Sequence, residues 1–199
     1  MNDRPRVAAV VLAAGMSTRM GNNKLLADIH GQPLVRRVVG SIEASAARPI
    51  VVVTGHDDEL VGAALRGTEA AIVHNPAYRD GLSTSLRAGI SVLTECDAAI
   101  ILLGDMPAIS PFVIDKMIAA YEPKKRNAIC VAASRGRRGN PVLFDRAFFP
   151  ELQTISGDIG AREIIRMHWP LVCEVDVDDD GPLIDLDTPE ELEQFLRRP

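Results

Sequence analysis

Five short apolar runs recur along this 199-residue chain and alternate with segments of helical periodicity. The runs are Val7 to Ala14, Ile50 to Thr54, Ala71 to His74, Ala98 to Leu103 and Ala128 to Ala133. The helical segments are Pro33 to Ser45, Asp58 to Leu65, Ser83 to Thr94, Pro111 to Tyr121 and Pro189 to Leu196. Nearly continuous apolar strands are covered on both faces, and their alternation with helices is typical of βαβ units. The sequence therefore predicts an α/β fold with a mostly parallel sheet.

Local signals mark where several of these helices begin. Ser110 and Thr188 each precede a helical segment with a hydroxyl that can cap it. Pro33 is predicted in the first turn of its helix, where an amide hydrogen is not needed.

Length and charge limit the classes of protein to consider. With 47% hydrophobic residues, 199 residues can bury one sizeable core, so a single domain over 1–199 is expected. The net charge of -5 does not favour nucleic acid or an anionic membrane as a partner. No run reaches transmembrane length and no signal peptide pattern is present, so a cytoplasmic location is expected. Cys96, Cys130 and Cys173 form no Cys-x-x-Cys motif and are expected to be buried free thiols.

The first apolar run ends in a loop of small residues that carries two cations, Arg19 and Lys24. Its glycines, Gly15 and Gly21, fit neither the dinucleotide fingerprint nor the P-loop. A strand end with a flexible backbone and fixed positive charge is typical of a phosphate site. An ordinary strand-to-helix turn with a solvated arginine is the alternative.

Acidic residues follow a second strand and recur near the carboxyl terminus. Asp105 follows Leu103 and Gly104, and in a parallel sheet it is expected to face the same crevice as the first loop. It is a candidate Mg²⁺ ligand beside phosphates, or simply a turn cap. Asp185 and Asp187 alternate on an extended segment, so both can reach one face. Either both carboxylates bind the same metal ion, or one caps the last helix while the other binds the metal.

Three further segments carry candidate binding groups. Asn75, Gly81 and the hydroxyls of residues 83–85 suit a nucleobase edge, although Ser83 is equally suited to capping a helix. The basic, glycine-rich segment 134–141 is either a second functional surface or an exposed hairpin. Residues 156–162 precede a short helix and are candidates for binding an anion. The acidic run 176–180 is interpreted as a solvated turn.

Taken together, these motifs resemble the molybdenum cofactor nucleotidyltransferases, a MobA-like superfamily, and in particular the molybdenum cofactor cytidylyltransferases. The resemblance covers nearly the whole chain and implies a Rossmann-like domain that uses a nucleoside triphosphate and Mg²⁺. It divides the chain into a nucleotide-binding part, 1–133, and an acceptor-binding part that completes the metal site, 134–199. It implies that Arg19, Lys24 and Asp105 are catalytic and that Asp105 and Asp187 hold the metal.

The resemblance also implies which residues contact the two substrates. The nucleotide-binding positions are Leu12, Ala13, Ala14, Gly15, Asn75, Gly81, Ser85 and Gly104. Alanine at position 14 accompanies cytidine enzymes in the family, whereas glycine accompanies guanosine enzymes, which favours CTP. The acceptor-binding positions are Arg138, Asn140, Asp158 and Arg162. Asn140 stands where relatives often have histidine, so this acceptor contact departs from the family pattern.

The expected reaction transfers CMP from CTP to molybdopterin, and a molybdoenzyme is a candidate recipient of the product. A methylerythritol-phosphate cytidylyltransferase is the first alternative, but the chain lacks the Asp-Ala-Ala-Arg-Pro motif of that family. A nicotinamide-dependent oxidoreductase would need a dinucleotide fingerprint, which the first loop does not have. A non-catalytic protein that binds a cofactor and delivers it to a partner stays open.

Overall fold

The structure, a computed structural model, describes residues 4–17, 23–157, 161–178 and 180–197. The strands in these ranges are β1 (Val7–Ala13), β2 (Asp28–Ile29), β3 (Gln32–Pro33), β4 (Ile50–Thr54), β5 (Ala71–His74), β6 (Ala98–Leu103), β7 (Ile129–Ser134), β8 (Arg137–Asp145) and β9 (Val172–Asp176). The helices are α1 (Leu34–Glu43), α2 (Asp58–Ala64), α3 (Leu82–Ser91), α4 (Pro111–Ala120), α5 (Phe149–Leu152), α6 (Arg162–Met167) and α7 (Pro189–Leu196).

Seven strands form the central sheet in the order β5-β4-β1-β6-β8-β7-β9. Strand β1 pairs in parallel with β4 and with β6, so their carboxyl ends lie at one edge. Strand β8 runs antiparallel to its neighbours β6 and β7. The prediction of an α/β fold with a mostly parallel sheet is confirmed, with one antiparallel strand inserted.

The segment 134–141 forms a hairpin, which was one of its two predicted alternatives. Residues 137–141 belong to β8, which forms a hairpin with β7. Arg135 and Gly136, between these strands, both have positive φ, as tight hairpin turns require. Ser134 and Arg135 contact Asp180, so part of the acidic run 176–180 holds this turn. The arginines obscured the strand because they are not residues that favour a sheet.

The core has two layers, one on each face of the sheet. Alternate residues of β1 point to opposite faces, as its pleat dictates: Val11 packs with helices α1 and α4, whereas Val10 packs with α3. Helices therefore cover both faces, as predicted. Cys96 and Cys130 are buried and Cys173 is partly exposed, and all three are free thiols.

Helix starts agree with the capping signals at two of three positions. The Ser110 side chain accepts from the Val113 amide, and Thr188 forms a capping box with Glu191. Pro33 instead lies one residue before α1, in β3, so its predicted place in the first turn is wrong by one position. None of the helices in the described ranges has the length and apolar character needed to cross a membrane.

Two helix glycines provide a matched test of this packing. A Cβ on Gly89 in α3 would fall within 3.0 Å of Val10 and Val53, whereas one on Gly40 in α1 meets nothing within 4 Å. We expect Gly40→Ala to raise the free energy of unfolding by about 0.5–1 kcal/mol through helix propensity. Gly89→Ala should lower it by about 1–2 kcal/mol, because the clash outweighs that gain. Urea unfolding measures both; stabilisation by Gly89→Ala would contradict the close contact of α3 with the sheet.

Candidate active site

The candidate site lies at the carboxyl ends of β1 and β6. Leu12 and Leu103 are register partners, and the Gly104 amide donates to the Leu12 carbonyl oxygen at 2.9 Å. A Cβ on Gly104 would lie 3.1–3.3 Å from Leu25, Ala13 and the Leu12 oxygen. Gly104 therefore lets the two strand ends approach closely, which brings Asp105 beside the loop after β1.

Lys24 joins the amino-terminal loop to the carboxylates. Its ammonium nitrogen Nζ lies 2.5 Å from Oδ2 of Asp105 and 2.7 Å from Oδ1 of Asp187. The side chains of Lys24 and Asp105 are 13% and 15% exposed. The three groups that the resemblance assigned separately to catalysis and metal binding thus form one cluster, in which Lys24 and Asp105 are largely buried and Asp187 is partly exposed.

Local backbone contacts hold each member of this cluster in place. The Leu186 amide donates to the Asp105 carbonyl oxygen, which fixes the segment that contains Asp185 and Asp187. The Asp187 amide donates to Glu191 in the first turn of α7. On the other side, the Lys24 amide donates to the Ser17 hydroxyl at 3.2 Å.

The charges in the cluster influence one another. Burial alone would lower the pKa of Lys24, but Asp105 and Asp187 outweigh it and raise the pKa above the usual 10.5, so the ammonium stays charged at neutral pH. Burial raises the pKa of Asp185, and the negative charge of Asp105 raises it further. Two carboxylates thus contact one ammonium, and the carboxyl group of Asp185 lies close enough to feel the charge of Asp105.

Asp105 has the features of a divalent metal ligand. Its Oδ2 faces Lys24, while its Oδ1 is buried and has no hydrogen-bond partner among the described residues. Within the same ranges, no group of three histidine, cysteine or acidic residues converges on a point. Two carboxylates completed by phosphate oxygens and water are nevertheless a usual shell for Mg²⁺, so Asp105 and Asp187 fit that ion.

A cleft of about 770 Å³ opens beside this cluster. Its walls include most of the predicted nucleotide, catalytic and acceptor positions: Leu12, Ala13, Ala14, Gly15, Lys24, Gly81, Ser85, Asp105, Arg162 and Asp187. Sequence reasoning missed Ser17 and Arg79, which also line it. Arg79 stacks on the Tyr78 ring at 5.6 Å, and a lone arginine in a turn gave no signal of its place here.

Asn75 lies behind the cleft wall and is 4% exposed. Its amide nitrogen donates to the hydroxyls of Thr84 and Ser85, at 2.8 and 3.0 Å, and its oxygen accepts from the Ala77 amide. Direct base recognition by Asn75, as predicted, does not fit this arrangement. The residue instead holds Ser85, which does line the cleft. Ser83 lies inside α3 with a buried, unpartnered hydroxyl in the described structure, so it is not the helix cap.

Two smaller cavities continue from the cleft. A recess of about 280 Å³ is lined by Leu103, Arg138, Asn140, Arg162 and Asp185, among others. A lateral pocket of about 550 Å³ between β8 and α6 shares Arg138, Asn140 and Arg162 with that recess. The predicted acceptor residues within the described ranges therefore lie along one path that leads away from Asp105. Arg19 and Asp158 lie outside the described residues.

A larger cavity, of about 1030 Å³, opens at the opposite edge of the sheet, near the starts of β1 and β4. Its Arg48 guanidinium is occupied by Glu69 and by several backbone carbonyl oxygens, and Arg6 pairs with Glu95. Both arginines are thus engaged by groups of the protein itself. The cleft beside Lys24 is therefore the better candidate for the active site.

The mostly parallel sheet, with Lys24, Asp105 and Asp187 at its carboxyl edge, has its charged groups where α/β nucleotide-binding proteins hold their ligands. The sequence matches the MobA-like NTP transferase domain over residues 9–172, and the chain belongs to this family.

Three relatives extend almost the full length of the chain. It is 28% identical to nicotine blue oxidoreductase of Paenarthrobacter nicotinovorans, with 98% of each chain covered. It is 27% identical to purine catabolism protein PucB of Bacillus subtilis, with 97% of each covered. Among solved structures, Rv0371c of Mycobacterium tuberculosis superposes with a TM-score of 0.83 at 25% identity, covering 98% of this chain and 100% of that one. A second structure of Rv0371c is a complex with manganese and has a TM-score of 0.80.

The role of Asn75 can be tested by unfolding. Asn75→Ala should lower the free energy of unfolding by about 2 kcal/mol or more, because buried hydroxyls and an amide lose their partner. Asn127→Ala is the control: the side-chain amide of Asn127 donates to the Ala120 carbonyl oxygen, and loss of that bond should cost about 1 kcal/mol or less. Urea unfolding measures both. If Asn75→Ala keeps its stability but loses nucleotide binding, the result would contradict the structural role and support direct contact of Asn75 with the base.

Proposed function

We propose that this protein is an Mg²⁺-dependent cytidylyltransferase that transfers CMP from CTP to a phosphate-bearing acceptor, with molybdopterin as the first candidate, and releases pyrophosphate. The observation that carries the proposal is the Lys24 ammonium between Asp105 and Asp187, at the mouth of a cleft lined by Ala14. Family membership supports the reaction class. The manganese complex of Rv0371c supports a divalent ion in a related protein.

The donor base is inferred from Ala14, which is 5% exposed and lines the cleft. Ala14 packs closely against Gly55: a Cβ added to Gly55 would lie only 2.8 Å from the Ala14 Cβ. This part of the cleft wall therefore has little room to move. The family resemblance associates alanine here with cytidine, and the fixed position of its methyl group supports a role in shaping the base site.

The reaction needs charge neutralisation more than it needs a protein nucleophile. An oxygen of the acceptor phosphate attacks the α-phosphorus, and the bond from that phosphorus to the bridging oxygen breaks, so pyrophosphate leaves with the electron pair. Bound Mg²⁺ would neutralise phosphate oxygens as charge develops on them. Lys24 supplies a fixed cation for the leaving pyrophosphate, with Arg79 at the same cleft. Arg162, which lines both the cleft and the recess, lies where the acceptor phosphate would enter.

Two ions compete for the same carboxylates in this scheme. The Lys24 ammonium already contacts Asp105 and Asp187, so the nucleotide-free protein carries an internal cation at its metal ligands. A triphosphate gives Lys24 a new anionic partner, which releases carboxylate oxygens for Mg²⁺. We therefore infer that nucleotide and metal support each other's binding.

One relative favours a second candidate function. Nicotine blue oxidoreductase covers 98% of this chain, and its name describes a redox enzyme. The loop after β1 lacks the Gly-x-Gly-x-x-Gly that a nicotinamide cofactor typically requires. Nucleotidyl transfer is therefore the better supported reaction, and nicotinamide oxidation is included in the test.

The test is a pyrophosphate-release assay with Mg²⁺, CTP or GTP, and either molybdopterin or methylerythritol phosphate. We expect pyrophosphate with CTP and molybdopterin. Lys24→Met and Asp105→Asn should lower turnover by about 100-fold or more, because each removes a preorganised charge at the reacting phosphates. The controls are Lys125→Met, an exposed lysine paired with Glu122, and the exposed Asp178→Asn, both of which should retain turnover.

Other outcomes would replace parts of the proposal. A GTP preference would overturn the interpretation of Ala14, and pyrophosphate only with methylerythritol phosphate would change the acceptor. Binding of CTP without pyrophosphate from any acceptor would indicate a carrier. Consumption of NADPH in a parallel assay that supplies NADPH with nicotine blue as the electron acceptor, without pyrophosphate release, would indicate the oxidoreductase.

A further inference from the structure

The lateral pocket contains the only tryptophan of the chain, Trp169, which sequence reasoning did not single out. Trp169 is 43% exposed, so its indole is accessible from the pocket. The Arg138 guanidinium lies over the indole, 4.2 Å from the ring centroid, and its Nε lies 2.5 Å from Glu174. Glu174 thus holds a flat cation against a flat ring, and together Arg138 and Trp169 form a rigid platform.

The backbone beneath Trp169 is fixed by contacts of the preceding residue. His168 ends α6, its Nε2 lies 2.8 Å from Glu151, and its ring packs edge-on against Phe148 with centroids 5.0 Å apart. Phe148 belongs to the buried core. The indole is therefore positioned before any ligand arrives, which reduces the entropic cost of stacking.

The rest of the lining defines the chemistry of a ligand. The described residues that line the pocket include three arginines, Arg138, Arg162 and Arg166, and no carboxylate. Val131, Val142 and Ile165 add apolar surface, and Asn140 offers both a donor and an acceptor. A volume of about 550 Å³ is within the usual range for a small molecule. An anionic compound with a flat heteroaromatic ring can pair with the arginines, hydrogen-bond to Asn140 and stack on the indole.

The pocket also lies on the path to the reacting centre. Arg162 lines the lateral pocket, the recess and the cleft, so the three cavities meet at this residue. Gly139 fixes the geometry of this path, because a Cβ there would collide with the Pro182 carbonyl group. A ring bound at Trp169 can thus direct its phosphate towards Arg162 and Asp105.

We infer that Trp169, held by Arg138, determines acceptor specificity by stacking on a planar, anionic heteroaromatic ring in the lateral pocket. This inference rests on the proposed function for its place in the reaction, but binding in the pocket can be tested without turnover. A polyol phosphate has no flat ring to stack and should not gain from the indole.

The test uses the single tryptophan as its own reporter. Pterin-6-carboxylate should quench the fluorescence of Trp169 saturably in the wild-type protein, and methylerythritol phosphate should not. By calorimetry, Trp169→Ala should bind pterin-6-carboxylate about tenfold or more weakly, whereas Trp169→Phe, which keeps a flat ring, should stay within about threefold of wild type. The affinity for CTP should be the same in all three proteins, which also shows that the variants are folded.

Several results would overturn the inference. These are no saturable binding of pterin-6-carboxylate to wild type, equal binding by Trp169→Ala, or tighter, Trp169-dependent binding of methylerythritol phosphate. Failure of the proposed function can be told apart from failure of this inference. If pterin-6-carboxylate binds in a Trp169-dependent way but no pyrophosphate is released in the activity assay, the proposed reaction is wrong and the proposed binding pocket stands.

Discussion

The site depends on one ion-pair cluster, in which Lys24 bridges Asp105 and Asp187. Lys24 and Asp187 are 163 residues apart in the chain, so this contact joins the loop after the first strand to the segment before the last helix. Breaking the Lys24–Asp105 pair, which is largely buried, leaves an uncompensated charge, which is costly. The cluster therefore holds both ends of the chain against the end of β6, and the cleft takes its shape from that connection.

The same cluster is the basis of the proposal that the site binds a polyanion and a metal together. Asp105 and Asp187 share one ammonium, and the raised pKa of Asp185 reflects burial and the negative charge of Asp105. A triphosphate alone would be repelled by Asp105, and a metal alone would have to displace Lys24. Binding both at once gives Lys24 a phosphate partner and the carboxylates a divalent one. Arg79 and Arg162 then face the phosphates from the cleft walls.

The sequence allowed most of the sheet and the residue types of the candidate site to be predicted. It did not reveal which side chains contact one another. Strands β4 and β6 match their predicted bounds and are buried, as their continuous apolar runs indicate. Strand β5 also matches its predicted bounds, but it is an edge strand with mostly exposed residues, so the predicted cover on both faces is wrong there. A hairpin at 134–141 was one predicted alternative, but the full extent of strand β8 was not predicted, because its first half is basic and its pairing depends on a turn whose backbone angles no hydrophobic pattern reveals. Asn75 was predicted to contact the nucleobase, because a side-chain amide beside hydroxyl groups can bind a base or hold a turn of the protein. Only the folded structure shows that this amide contacts Thr84, Ser85 and Ala77. Trp169 gave no periodic signal, and its proposed role depends on Arg138 and Glu174, which lie on β8 and β9 on either side of β7.

Binding of Mn²⁺ to the nucleotide-free protein, followed by electron paramagnetic resonance, tests the central claim that Lys24 occupies a divalent-cation site. If it does, Lys24→Met should tighten Mn²⁺ binding by about tenfold or more, because a unit charge at this range opposes the ion by more than about 1.4 kcal/mol. Adding Asp105→Asn to that variant should abolish the gain. Equal or weaker Mn²⁺ binding by a folded Lys24→Met protein would contradict the account, since the carboxylates would then not form the metal site.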